Sequence, residues 1–422
     1  MGDVHRLLAE HGVTFDDFRV TTSECGPSRA SILTGLYSHH SGVLDNFGPH
    51  SYPAFDEQSD LAVWLHQAGY STALVGKYLN DYTLDGHHLI PPGWTDWQAI
   101  DSVPEERYYD YTLNENGRHV HYGSRPADYS TTVLTGKAVT FLKSVRTPFF
   151  LYYAPVAPHL PAVPAPADVG RFDKLAPFPP SSVGHASVSD EPWSRWHDRA
   201  ITAAGLSYIQ DVRRHQLEAL QAVDRGVARI VSTLARRHLL DRTVIFYTSD
   251  NGFLWGEHRL GGKIWPYEES TRVPLVVRTP WARGATVSHE PVLNIDFAST
   301  ISELAGIVPG GPQDGDSFVP LLHGERVPWR RDYLIEYLGK NKLREGGPPP
   351  YVAIHTPSYL YVEYRYRHWR ELYDLRNDPW ELRNVVGEPV YRGLVATLSE
   401  RLRDLFDDPA HAAPEREALA RT

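Results

Sequence analysis

The sequence predicts an α/β fold: a three-layer sandwich with a mainly parallel central sheet, followed by a small C-terminal antiparallel α+β subdomain. Three observations predict it. Short apolar runs end in polar loops, helical patterns lie between those runs, and the chain after about residue 330 turns to aromatic-rich, hairpin-like segments. Continuous apolar runs, rather than alternating ones, suit strands covered on both faces. Strands that alternate with helices suit a parallel sheet.

The elements follow in order. Residues 4–10 read as a helix and 13–18 as a short strand. Leu61, Trp64, Leu65 and Ala68 recur at helical spacing, with Ser59 as N-cap and Gly69 just past the end. Residues 71–75 (STALV) form a strand ending at Gly76-Lys77. Residues 129–145 put Val133, Leu134, Phe141, Leu142 and Val145 on one helical face. The run 149–154 (FFLYYA) follows Pro148 and leads to Pro158-His159. Residues 161–198, rich in Pro, Ser, Trp and His, read as a long irregular surface loop, of the kind that is usually functional or mobile. A long helical pattern runs from about Ser207 to His238. Strands at 243–248 and 273–278 bracket Ser249-Asp250-Asn251-Gly252 and the loop with Lys263. Residues 296–305 form a helix closed by Gly306. Beyond the extended loop Gly346–Pro350, residues 351–366 read as a hairpin around Thr356-Pro357-Ser358, 369–375 as a strand, and 390–406 as an amphipathic helix carrying Leu394, Leu398, Leu402 and Leu405. The expected division is a large domain over 1–329 and a subdomain over 330–422.

Composition removes several functional classes. Of 422 residues, 41% are hydrophobic and 22% charged, the balance of a folded globular chain rather than a disordered one. Lys plus Arg total 42 against 52 Asp plus Glu, for a net charge of −10, so no broad basic face points to nucleic acid. No apolar run reaches the roughly 18 residues of a membrane span. The single cysteine excludes an internal disulfide and any Cys-cluster metal site. No basic stretch leads into an apolar run at the start, so no signal peptide is visible, and localisation stays open.

Ligands of open α/β sheets bind beyond the carboxyl ends of strands. Lys77, His159, Asp250 and Asn251 all fall just past such ends. The segment Cys25-Gly26-Pro27-Ser28-Arg29-Ala30-Ser31-Ile32-Leu33-Thr34-Gly35 adds the strongest signal. Pro27 suits the first turn of a helix, which places Cys25 at a helix N-terminus, where free N–H groups favour anions. Arg29 adds a cation. A lone cysteine is otherwise a small buried filler; the flanking residues argue against that reading here.

These flanking residues resemble the type I sulfatase signature, Cys-X-Pro-Ser-Arg followed by a short spacer and Leu-Thr-Gly. Further landmarks occur in family order: GKYLNDY at 76–82, PPGW at 91–94, APHLP at 157–161, IFYTSDNG at 245–252 and LYDLRNDPWELRNV at 372–385. Gly-Lys-Tyr-Leu-Asn with PPGW most resembles the N-acetylglucosamine-6-sulfatase branch. The resemblance implies an alkaline-phosphatase-like fold and a sulfuric ester hydrolase that removes sulfate from a sulfated sugar or an aryl sulfate. It implies that Cys25 is oxidised to formylglycine by a formylglycine-generating enzyme and then serves as nucleophile and metal ligand. It gives Asp250 and Asn251 a divalent cation, Ca²⁺ or Mg²⁺, through hard oxygen ligands. Asp-Asn-Gly is also a strong turn sequence in any protein. Arg29 orients the formylglycine hydrate. Lys77, Lys263 and His159 contact the sulfate, with His159 or Lys263 protonating the leaving oxygen. His258 is a further candidate, and Asn80 stands where many relatives carry histidine. Trp94, Trp97, Tyr108, Tyr109 and Tyr111 suit sugar stacking or core packing equally. Two other readings stay open: a phosphonate or phosphodiester hydrolase on the same scaffold, and a non-catalytic remnant.

One departure stands out. The family's first buried strand ends in an aspartate pair that binds the metal, well upstream of the cysteine motif. Here only 24 residues precede Cys25. Asp16-Asp17 follows no buried apolar strand and sits where relatives carry ordinary polar residues. Two consequences are expected: a metal site reduced to Cys25, Asp250 and Asn251, and a sheet short of a central strand, with backbone groups left unpaired. Either Met1 is an internal residue of a longer chain, or the protein is an inactive relative.

Overall fold

A computed structural model of the chain describes residues 1–82, 90–101, 107–176, 183, 200–340, 347–365 and 368–407. Most of the expected loop 161–198 beyond residue 176 lies outside these residues. The described helices are α1 (Gly2–Leu7), α2 (Cys25–Thr34), α3 (Leu61–Gln67), α4 (Ser130–Ser144), α5 (Ala203–Arg236), α6 (Asp296–Ala305) and α7 (Arg392–Phe406), besides shorter turns. The strands that build the site are β1 (Gly12–Phe15), β2 (Ser71–Gly76), β3 (Asp96–Ile100), β4 (Tyr111–Glu115), β5 (Arg118–Tyr122), β6 (Phe149–Ala154), β7 (Ile245–Tyr247), β8 (Leu275–Arg278) and β9 (Thr286–Ser288).

The expected α/β sandwich is present, and its central layer comes in two sheets. One has the order β5-β4-β3-β2-β6, the other β9-β1-β8-β7. The heart of the first is parallel: β2 lies between β3 and β6 and runs with both. Its outer pairs β3–β4 and β4–β5 are antiparallel. In the second sheet only β1–β9 is parallel. The layer is therefore mixed. Helices α4 and α5 pack on one face, burying Leu134, Phe141, Leu142, Ala222 and Val223. Helices α3 and α6 meet on the other through Leu61, Leu65 and Ala298.

The continuous apolar runs at β6 and β7 suit strands covered on both faces. In the structure both are mainly half-buried. Each is the last strand of its sheet, so among the described residues neither has a neighbour on its outer side. A cavity of about 1470 Å³ lies between them.

The N-cap of α3 is Asp60 rather than Ser59. The helix starts at Leu61, and the Asp60 carboxylate accepts from the Val63 N–H at 2.9 Å. Asp60→Ala is expected to cost about 1 kcal/mol, the usual worth of such a cap, read as a lower urea midpoint with an unchanged slope. The aromatic residues near the expected cleft resolve toward core packing. Trp94, Trp97, Tyr108 and Tyr111 are all buried, with Trp94 and Trp97 in one apolar cluster and Tyr108 and Tyr111 in another.

The C-terminal region forms an antiparallel sheet in sequential order, β10 (Tyr333–Tyr337), β11 (Tyr351–His355), β12 (Tyr359–Tyr364) and β13 (Trp369–Asp374), as the hairpin pattern led us to expect. Helix α7 covers one face through Leu398 and Leu402. The other face packs Tyr333 and Tyr337 with Ile264 and Trp265, the residues that follow Lys263.

Candidate active site

The site is assembled where the carboxyl ends of β2, β6 and β7 meet the start of α2. Cys25 is the first residue of α2, and the extended Glu24 precedes it. The Gly26 N–H donates to Asn46 Oδ1 at 2.7 Å, which fixes the first turn. Glycine at position 76 is obligatory: φ is +124°, and a Cβ would lie 2.0 Å from the Ala154 carbonyl oxygen. That close approach leaves β2 and sends Lys77 inward, only 3% exposed. Arg29 ties the elements together. Its Nε donates to Asp250 Oδ2 at 2.8 Å and its Nη1 to the Lys77 carbonyl at 2.7 Å.

Lys263 Nζ stands 2.6 Å from Cys25 Sγ and 3.2 Å from Asn251 Oδ1. Asn251 Nδ2 donates to the Gly252 carbonyl at 2.8 Å, so Oδ1 is the atom turned to the thiol, 3.6 Å away. Gly252 lets this turn fold against the chain: a Cβ would lie 2.1 Å from the Glu269 carbonyl oxygen. Gly252→Ala is expected to cost about 1–3 kcal/mol by overpacking, and to move Asn251 enough to slow any reaction at Cys25; thermal unfolding and activity of the variant check both. His159 hydrogen-bonds Cys25. Its Nδ1 is 2.7 Å from the Leu160 carbonyl. A carbonyl only accepts, so Nδ1 carries a proton. The Tyr108 hydroxyl donates to the His159 carbonyl at 2.7 Å and holds the loop.

The electrostatics follow from that packing. Burial pushes the Cys25 thiol up, but Lys263 and Lys77 outweigh it, His159 helps, and the thiol settles at about 6, against an ordinary value of 9.0. Burial likewise pushes Asp250 up, and Arg29, Lys263 and Lys77 reverse this, so its carboxyl is held well below the usual carboxylate range. Three cations thus act on one carboxylate, and the site is built to receive negative charge.

All five of the expected catalytic positions and the three expected metal positions, Cys25 counted in both sets, line the same cavity. Asp16 and Asp17 do not line it: Asp16 Oδ2 pairs with His289 at 2.7 Å and Asp17 Oδ1 with Arg19 at 2.8 Å. The donor set at Cys25 falls short of a hard-cation site. Such a site takes roughly 6–8 oxygens, several of them carboxylate. Here Asp250 is engaged by Arg29, and Lys263 sits on Asn251 Oδ1. A second cluster has metal-ligating types nearby: one ligand atom each of His258, Glu269 and Glu381 lies within 4.8 Å of the others. His258 is therefore off the thiol. It stacks on Tyr267 at 4.0 Å and faces Glu269 at 3.9 Å. The sequence reading missed Asn46, Glu269 and Glu381. No local motif marks any of them.

Comparison with known proteins identifies the architecture. The sulfatase family model matches residues 4–307. The chain belongs to the sulfatase family. The model for the C-terminal region of N-sulphoglucosamine sulphohydrolase matches residues 256–408 of this sulfatase-family chain. It is 35% identical to human N-acetylglucosamine-6-sulfatase over 353 residues, 80% of this chain and 63% of that protein. It is 33% identical to the extracellular sulfatase SULF-1 homolog of Drosophila melanogaster over 81% of this chain, and spans only 31% of that longer protein. Among solved structures, that of BT4656 in complex with its substrate D-glucosamine-2-N,6-O-disulfate superposes with a TM-score of 0.82 at 26% identity, covering 99% of this chain and 94% of that one.

Proposed function

We propose that this chain is a sulfuric ester hydrolase for a sulfated glucosamine-type sugar, with Cys25 converted to formylglycine by a formylglycine-generating enzyme. The observation that carries the reading is the enclosure of Cys25 by Lys263, Lys77 and His159 at the start of a helix, with Arg29 bound to Asp250 beside it. The names of the relatives support the substrate class. When present, the hydrated aldehyde supplies one hydroxyl to attack sulfur and a second whose proton loss re-forms the aldehyde and expels sulfate. The chain's own groups do the remaining work. Lys77 and Lys263 neutralise the sulfate oxygens, and Arg29 orients the nucleophile from its anchor on Asp250. Lys263 or His159 delivers a proton to the leaving oxygen. In this reading residues 1–329 carry the chemistry, and the sheet β10–β13 of the 330–422 subdomain braces the Lys263 loop through Tyr333 and Tyr337. The family cation, Ca²⁺ or Mg²⁺, is assigned no step, because Cys25, Asp250 and Asn251 alone do not make a hard-cation cage.

The test is expression in a host that contains the converting enzyme, followed by mass spectrometry of the Cys25 peptide and sulfate-release assays. The aldehyde at Cys25 and release of sulfate from glucosamine 6-sulfate are expected. An unmodified thiol in that host would count against the reading. Faster turnover of a phosphonate monoester or an aryl sulfate would redirect the substrate assignment.

A further inference from the structure

The chain around the Asn251 turn brings a second set of donors together. Glu269 lines the main cavity, and its side chain is 16% exposed. Its carbonyl accepts the Phe253 N–H at 2.7 Å, which ties it to that turn. His258 is buried, with its ring stacked on Tyr267 at 4.0 Å and 14°. The stacking holds Nε2 toward Glu269 Oε2, 3.9 Å away. Glu381, fully buried, reaches the same spot from the C-terminal region. Its Oε2 accepts the Glu268 N–H at 3.0 Å, and its Oε1 has no hydrogen-bond partner among the described residues.

A buried carboxylate beside a second carboxylate needs a compensating positive charge. Burial and the charges of Glu268 and Glu269 push the Glu381 carboxyl well above the usual carboxylate range. The nearby Arg19 is engaged by Asp17 and Glu268. A proton or a metal cation can supply the charge, and the donor geometry favours the cation. Zinc–ligand lengths of about 2.1 Å set tetrahedral donors about 3.4 Å apart, so His258 and Glu269 need to close by only about half an ångström. The donor types choose the ion. An imidazole nitrogen suits zinc and its neighbours, whereas Ca²⁺ and Mg²⁺ prefer more numerous, all-oxygen ligands.

We propose that His258, Glu269 and Glu381 form a second cation site, sharing no ligand with Cys25 or Asp250, that takes one divalent ion of the zinc class. Three protein donors leave a fourth position for water, and Glu269 at the cavity wall is the entry path. The ion joins three separate stretches: residue 258 at the head of the loop to Lys263, residue 269 beside the Asn251 turn, and residue 381 of the C-terminal subdomain. It therefore clasps the loop that carries Lys263 without touching Lys263 itself. The inference stands whether or not the chain hydrolyses sulfate esters.

The test is titration of the chelator-stripped 422-residue chain with Zn²⁺, read by calorimetry and thermal unfolding. One ion per chain is expected, with a thermal midpoint that rises with free Zn²⁺. Glu381→Gln has the shape of the protonated acid and so keeps the fold; it is expected to weaken binding at least tenfold. His258→Gln is expected to do the same. Cys25→Ala is expected to bind as the parent does, although the thiolate is the obvious competing zinc ligand. Amide exchange over residues 257–263 is expected to slow when Zn²⁺ is bound. Unchanged affinity in Glu381→Gln, or lost binding in Cys25→Ala, would overturn the site. So would the absence of any Zn²⁺-dependent shift, because a proton would then hold the carboxylates together. Bound Zn²⁺ with unchanged exchange over 257–263 would overturn the clasp.

Discussion

Cys25→Ala is expected to bring sulfate-ester turnover to background, a loss of at least about 10⁴-fold, or about 5.4 kcal/mol of transition-state stabilisation. Cys25→Ser is expected to look the same by turnover but different by mass. A serine hydroxyl at this position still faces Lys263, 2.6 Å from the present sulfur, and attacks sulfur once. It has no second hydroxyl whose proton loss expels sulfate, so the protein gains one sulfo group and stops. Intact-protein mass spectrometry after incubation with substrate separates the two variants: one added sulfo group on the serine protein, none on the alanine protein. Folding of both variants is checked by thermal unfolding at about pH 6, where the Cys25 thiolate contributes little stability. Turnover retained by the alanine variant would remove Cys25 from the chemistry altogether.

Much of the site was legible because its residues are local punctuation. Pro27 in the first turn of a helix, Gly76 at a strand end and Gly252 after Asp-Asn are positions where backbone geometry restricts the residue type, and the polar groups beside them inherit fixed places. The strands read at 71–75 and 149–154 are legible as β-branched and apolar runs, and the first extends one residue further, to Gly76. Their degree of burial is not legible. An apolar run reports the environment a strand is suited to, and whether that environment is filled depends on partners elsewhere in the chain. The half-exposed faces of β6 and β7 are the clearest case. The cap of α3 was misplaced by one residue because Ser59 and Asp60 are both good caps, and the choice rests on where packing of Leu61 starts the helix. Glu269 and Glu381 were illegible for another reason. Glu381 reaches His258 from more than a hundred residues away, Glu269 comes from the far side of a turn, and such acidic residues look alike in a sequence. Arg19 is similar: it is buried against Asp17 and Glu268, a network that no spacing announces.

Lys263→Met is expected to raise the titration midpoint of the Cys25 thiol from about 6 toward its ordinary 9.0. Lys263 is the largest of the groups holding the thiol down, and burial opposes it. The measurement uses protein made without the converting enzyme and follows thiolate absorbance, or the alkylation rate, against pH. A midpoint is the proper readout, because a more basic thiolate is intrinsically more nucleophilic and partly masks a rate change at one pH. Asp250→Asn is expected to shift the midpoint the other way, since Asp250 is the anion that raises it. The stability consequence has a definite sign. The native thiol binds its proton less tightly than the unfolded one, so it contributes stability that is full above pH 9, declines through the interval and is lost as pH falls through about 6. Its size is on the order of 4 kcal/mol across that window. Denaturant midpoints of the parent are therefore expected to rise from pH 6 toward pH 9 relative to those of Lys263→Met. A parallel pH dependence in the two proteins would show that Lys263 does not govern the thiol.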